Sequence, residues 1–501
     1  MNIVYLTTEA VPFAKTGGLA DVCGTLPSRV AAAGNRAAVI MPAFRSIRRS
    51  GIPIESTDIS FAVPMSREKL VGCRLLKSTL PDGDTPVWFI DQPQYFDRDA
   101  LYGTSHGDYA DNDERFSFFC RAAIMAMARI GWSVDIVHCN DWQTGLIPSI
   151  LKSDPNLPES LRKAATVLTI HNLAYQGSFP RESFHWTGLN WSHFNANECE
   201  FYNQLNFLKT GIASSDVITT VSPRYAEEIR TQEHGCGLEG VLESVSDRLV
   251  GITNGIDMDI WDPATDPNLP VNYDVTNWQS GKTQNKRVLQ KSFGLDASDE
   301  VPMIGLVGRL ASQKGWDSIV PLIRTHLSEQ RPTQWIVLGS GDARYESELR
   351  ELAKAHPNQF ALHIGFSDKL AHQIEASSDL FLMPSHYEPC GLNQLYSLRY
   401  GSVPVVTPTG GLANTVVDCN ETTIADGTAT GFYLSSNDPA GLDEAVGRAL
   451  RMRYHDPQRW ARLVATGMQQ DWSWTKSANE YIELYGRTLA LKVTPKRTPP
   501  G

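Results

Sequence analysis

The run Met303-Ile304-Gly305-Leu306-Val307-Gly308-Arg309-Leu310-Ala311-Ser312-Gln313-Lys314-Gly315 starts as a short apolar strand and ends as a charged loop bounded by glycine. A strand without polar alternation is covered on both faces, as in a parallel sheet with helical crossovers. The same pattern recurs in both directions from this run. Strands are expected at 2–7, 37–42, 86–91, 135–139, 166–170 and 216–221 in the first half. In the second half they are expected at 303–308, 335–339, 360–364, 379–383 and 403–407. The first crossover places Leu19, Val22, Leu26 and Val30 on one helical face and ends at Gly34, with a kink expected at Pro27. Two such series predict an α/β protein of two doubly wound domains. The join is expected near Asn254-Gly255-Ile256-Asp257, followed by a non-periodic, proline-bearing stretch at 261–281.

Bulk properties agree with this division. A chain of 501 residues exceeds what one hydrophobic core usually serves. Acidic residues outnumber basic ones and give a net charge of −11, which disfavours a nucleic-acid partner. The basic group Arg45, Arg48 and Arg49 reads as a solvated surface ahead of an anion site. Eight cysteines without C-x-x-C spacing point to reduced thiols, with neither a disulfide framework nor a zinc site. The N-terminus enters a strand-like run without a basic leader, and no apolar stretch is long enough to cross a bilayer. A soluble, intracellular protein is expected, with no membrane partner.

In open parallel sheets ligands bind beyond the carboxyl ends of the strands, so the chemistry is sought there. Two domains of this kind facing each other would form a cleft for a substrate. After strand 303–308, Arg309 and Lys314 suit a diphosphate, the Arg forking onto two oxygens and the Lys acting as a point charge. After strand 2–7, Lys15-Thr16-Gly17-Gly18 opens a helix and reads either as a plain turn or as a phosphate site built from free N–H groups. Glu388 follows strand 379–383, either as a partly desolvated catalytic carboxylate or as a helix-start Glu holding amides. Asp141 with Trp142, and His171 with Asn172, each follow an apolar strand. A His there either binds sugar hydroxyls or is structural, and Trp142 is a candidate for stacking on a sugar face. Thr409-Gly410-Gly411 adds a glycine turn after strand 403–407.

Taken in order, six motifs resemble the bacterial glycogen synthase and plant starch synthase family. They are Lys15–Val22, His171–Gly177, Ile252–Asp257, Gly308-Arg309 with Lys314-Gly315, Glu388–Leu392 and Thr409–Leu412, and the resemblance spans residue 1 to about 490. It implies a GT-B-type glycosyltransferase with two Rossmann-like doubly wound domains facing a deep interdomain cleft. The implied division is 1–255 on the acceptor side with 476–492 returning to it, 256–475 for the nucleotide sugar, and a disordered tail at 493–501. The implied reaction is retaining transfer of glucose from ADP-glucose to the non-reducing end of an α-1,4-glucan, without metal or other cofactor. By motif, the catalytic set is Glu388, His171, Arg309, Lys314 and Asp141. The nucleotide sugar falls to Lys15, Gly17, Gly18, Asn254, Phe366 (adenine stacking), Cys390, Gly391, Leu392, Thr409, Gly410 and Gly411. Trp142 and Tyr95 fall to the acceptor. A cytoplasmic bacterial enzyme is expected, and a mature plastid form would read the same way. Rival readings are a non-catalytic glucan-binding homologue, a sucrose synthase and a phosphorylase.

Overall fold

Strands buried on both faces leave their backbones only one another to bond with, and here they assemble into two sheets. The computed structural model describes residues 1–49, 51–104 and 107–493. The chain divides into one unit of Met1–Gly255 with the segment from Trp474 onward, and a second of Ile256–Ser473.

The first unit carries a nine-stranded sheet: β1 (Asn2–Leu6), β2 (Arg36–Pro42), β3 (Glu55–Pro64), β4 (Leu70–Thr79), β5 (Pro86–Asp91), β6 (Ile136–Asn140), β7 (Ala165–Ile170), β8 (Val217–Thr220) and β9 (Leu249–Gly251). Its order is β9-β8-β7-β6-β1-β2-β5-β4-β3. Pairing is parallel from β9 through β5, with Ile3 opposite both Ala37 and Ile136. The edge hairpin β3–β4 is antiparallel, and its burial alternates along each strand. That hairpin was not expected from the sequence, because its one solvated face breaks the apolar run by which the other strands are recognised.

The helix Gly18–Ala32 runs unbroken through Pro27, which is buried. It packs against the returning helix Trp474–Val493. That helix is tied to the sheet by Tyr485, whose hydroxyl meets His138 Nδ1 at 2.7 Å and Tyr5 Oη at 3.1 Å. Near its start Ser477 Oγ donates to the Thr253 carbonyl at 2.6 Å. Residues 494–501, most of the stretch expected to be disordered, lie outside the described residues.

The second unit carries six parallel strands: β10 (Met303–Val307), β11 (Gln334–Gly339), β12 (Phe360–Ile364), β13 (Leu380–Met383), β14 (Val403–Val406) and β15 (Phe432–Tyr433). Their order is β12-β11-β10-β13-β14-β15, the Rossmann arrangement. The stretch read as a non-periodic join is packed. Trp261 stacks between the rings of His372 at 3.7 Å and Tyr396 at 3.6 Å, and the helix Trp278–Phe293 begins inside it. Among the described residues, no helix is long and apolar enough to cross a membrane.

Because Tyr485 is fully buried against β1 and β6, Tyr485→Ala removes a ring from the core of the first unit. A loss of about 3–5 kcal/mol is expected, as for other buried aromatic truncations. Chemical denaturation checks this, and a loss under about 1 kcal/mol would show that the helix is not anchored there.

Candidate active site

In the second sheet the chain runs from β10 out to β12 and returns to β13 on the other side of β10. The order therefore reverses between β10 and β13, where an open sheet leaves a crevice. The loops after those two strands carry Arg309, Lys314 and Glu388, and the structure brings them together. Lys314 Nζ lies 2.5 Å from Glu388 Oε2, and Ser385 Oγ donates to the same oxygen at 3.0 Å. Arg309 donates to Gln313 Oε1 at 3.3 Å, and Gln313 donates in turn to the Tyr387 carbonyl at 2.9 Å. Glu388 is 6% exposed, so a charged side chain is withdrawn from water and matched by a cation. The helix-start reading of Glu388 fails, since its carboxylate serves Lys314 and Ser385.

Close approach between loops explains two of the glycines. Gly315 has φ +77°, and a Cβ there would lie 2.1 Å from the Pro384 carbonyl oxygen. Gly410 has φ +45°, and its Cβ would lie 2.0 Å from the Glu388 carbonyl oxygen. Gly411 donates its N–H to that carbonyl at 3.0 Å, so the Thr409-Gly410-Gly411 turn backs Glu388 directly. Gln394 donates to the carbonyls of Cys390 and Gly391 and fixes that segment, while Leu392 packs beside Leu395 and Tyr396. Asn393 ties the following helix to the Val307 carbonyl of β10 at 2.6 Å. Gln313, Ser385, Asn393 and Gln394 were missed in the sequence, because an amide or hydroxyl that orients a neighbour carries no motif of its own.

Phe366 follows β12 and is 83% exposed. A core role is thereby ruled out. All six strands are parallel, so Phe366 stands on the same rim as Arg309 and Glu388. It lies two strands from β10, roughly 10 Å at ordinary strand spacing.

In the first sheet the order reverses between β1 and β6. Asp141, directly after β6, adopts φ +55° and ψ −175°, a conformation costly for any residue but glycine and a mark of functional sites. Its Oδ1 accepts the His171 N–H at 2.7 Å. Burial pushes the Asp141 carboxyl up to about 7 against the pull of the His171 and Asn172 amides, and the charge of Glu9 adds to the rise. Burial pushes the His171 ring down to about 3, so it is neutral at physiological pH. Its Nε2 meets Asn140 Oδ1 at 2.9 Å, while Asn140 Nδ2 donates to the Leu6 carbonyl. That arrangement places the proton on Nε2 and leaves Nδ1 as the acceptor nitrogen. Asn254 is buried, and its Oδ1 takes no hydrogen bond from the described residues.

Three expectations for this unit require correction. The N–H groups of Thr16 and Gly17 are not open to an external anion: both donate to Glu9 Oε2, at 2.5 and 3.2 Å. At this helix entrance Lys15 contributes its side chain, paired with Asp21 at 2.7 Å. Trp142 is no open stacking platform. It is 8% exposed, lies among Phe116, Phe179 and Phe207, and a Cβ at Gly177 would lie 2.2 Å from its ring. Tyr95 is likewise buried beside Phe96 and Phe118, with its hydroxyl on Glu114, so it offers no face to an acceptor. Within the basic group, Arg45 pairs with Asp97 and Asp99 and Arg48 with Asp91.

The raised Asp141 carboxyl makes stability depend on pH. The folded form holds this proton up to about 7 and the unfolded form only to 3.8, so the group's contribution is greatest below 3.8 and falls as pH rises to about 7. In Asp141→Asn that dependence is absent, and the stability of wild type relative to the variant should decline between pH 4 and 7. Denaturant unfolding at several pH values reads this, and a constant difference would refute the shift.

Residues 2–244 match the starch synthase catalytic domain family and residues 289–463 match glycosyl transferases group 1. The glycogen synthase of Rhodopirellula baltica is 60% identical over 499 residues, covering 98% of both chains. That of Syntrophotalea carbinolica is 45% identical over 491 residues, covering 98% of this chain and 99% of its own. Among solved structures, the catalytic domain of starch synthase IV from Arabidopsis thaliana, bound to ADP and acarbose, superposes with a TM-score of 0.89 at 34% identity. It covers 98% of this chain and 99% of that one. With the two reversal-point sites and this full-length similarity together, the chain belongs to the glycogen and starch synthase family of GT-B glycosyltransferases.

Proposed function

We propose that this protein transfers glucose, with retention of configuration, from ADP-glucose to the non-reducing end of an α-1,4-glucan and releases ADP. The observation that carries the reading is the Lys314–Glu388 pair beside Arg309 at the reversal of the second sheet, in a chain 60% identical to a glycogen synthase. The acceptor falls to the first unit, and the setting is cytoplasmic.

The residues divide the work by charge. As the glycosidic bond loosens, negative charge grows on the departing diphosphate, and Arg309 and Lys314 stabilise it from fixed positions. Glu388 holds Lys314 through Oε2, and its Oε1 accepts a donor-sugar hydroxyl. Tied to Lys314, this carboxylate orients rather than attacks. His171 enters neutral, with Nδ1 ready to accept a sugar hydroxyl, and Asn254 Oδ1 has the same capacity. The Cys390–Leu392 and Thr409–Gly411 segments hold Glu388 and line the donor. Phe366 offers its exposed ring to adenine.

The test is to incubate the purified protein with glycogen and either ADP-glucose or UDP-glucose and to measure the nucleotide released. Faster release from ADP-glucose is expected, unchanged by EDTA because the two cations supply the charge. Glu388→Gln should lower kcat by on the order of 100-fold, about 2.7 kcal/mol, with donor binding nearly intact. No nucleotide release from ADP-glucose by wild type would overturn the assignment, and near-normal turnover in the variant would remove Glu388 from the site.

For Phe366, the platform reading expects Phe366→Ala to lose roughly 1–3 kcal/mol of stacking, seen chiefly as a raised donor KM. Because the ring is exposed, the melting temperature should stay put. A marked drop in melting temperature with an unaltered KM would defeat it.

A further inference from the structure

Glu9 was not singled out in the sequence, yet its carboxylate, 3% exposed, gathers four donors. Oε2 accepts the N–H groups of Thr16 and Gly17. Oε1 accepts Thr16 Oγ1 at 2.6 Å and Tyr102 Oη at 2.8 Å. Thr8 Oγ1 lies 2.7 Å from the same Tyr102 hydroxyl, which brings in a segment nearly a hundred residues away.

The geometry has one product. Ala14, just before Lys15, is held by reciprocal pairing with Ala10, each N–H reaching the other's carbonyl at 3.1 Å. Thr16, just after Lys15, is held by Glu9. Val11 is further tied to the helix through its N–H on the Ala20 carbonyl at 3.0 Å. The backbone of Lys15 is thus fixed on both sides, while its side chain remains half exposed and, among the described residues, pairs with Asp21. Fixed bonds on both sides of one half-exposed cation are what preorganisation of a charged contact requires.

We propose that Glu9, supported by Tyr102, is a positioning residue that sets Lys15 for the phosphates of the donor. This rests on the proposed transfer from a nucleoside diphosphate sugar. Glu9 touches no substrate in this account and acts through Lys15. A plain helix cap is the competing account, since a carboxylate at a helix N-terminus is favourable in itself.

A mutant cycle with ADP-glucose kinetics separates the two. Glu9→Ala should raise the donor KM about tenfold and leave the glucan KM unchanged. In a Lys15→Ala background the same change should cost less than about twofold, because the residue it positions is gone. Glu9→Gln should stay within about twofold of wild type. Its oxygen still serves both amides and its N–H groups can face the two hydroxyl oxygens, with Tyr102 turning its own proton to Thr8. Should Glu9→Ala fold poorly, Thr16→Val, which removes one hydroxyl donor, replaces it in the cycle with an expected threefold effect, again lost without Lys15. Equal losses with and without Lys15 would overturn the proposal, as would a Glu9→Gln variant as impaired as Glu9→Ala. Wild type active on ADP-glucose with Glu9→Ala unaffected would sink this inference alone. Wild type inactive on ADP-glucose would sink the proposed function with it.

Discussion

Parallel pairing is the constraint on which the rest of the molecule depends. Strands such as β1, β6, β10 and β13 are buried along nearly all of their length, so the middle of each sheet leaves little room for open polar chemistry. Polar and charged groups are displaced to the strand ends, and parallel direction sends all the carboxyl ends to one rim. Where strand order reverses, successive loops part instead of crowding, and a ligand can reach backbone and side chains there. Glu9 and Asp141 stand at one reversal, Arg309 and Glu388 at the other.

At both places a buried carboxylate is the organising charge, in different company. Glu388 faces a cation and a hydroxyl, and its ion pair with Lys314 offsets its desolvation. Among the described residues Glu9 faces backbone amides and hydroxyls, and it fixes the turn that leads into the helix beginning at Gly18. Asp141, close to Glu9, is the one pushed toward its protonated form. Burial is the main cause of that rise, and the charge of Glu9 adds the smallest part.

Much of the fold was legible because hydrophobic continuity is a local signal: each of the eleven expected strands overlaps an observed one. The hairpin β3–β4 was hidden because a half-solvated edge lacks that signal. In the site, Arg309, Lys314 and Glu388 could be picked out because charge at a strand end is visible in one dimension. Glu9, Gln313, Ser385 and Gln394 could not, since their importance lies in what they touch across the chain. Trp142 and Tyr95 misled for the complementary reason: an aromatic beside a motif reads the same whether its face is open or packed. Only burial distinguishes them, and burial is a property of the whole fold.

The returning helix has a consequence for the order of assembly. His138 and Tyr485, which bond inside the first unit, are 347 positions apart, and the whole second unit is threaded between them. The second unit is made from one uninterrupted segment and can complete its core as soon as that segment has emerged. The first begins to form from the N-terminus but keeps an apolar face uncovered until the returning helix has been made. The second unit can therefore close its core while the first still waits for the returning helix.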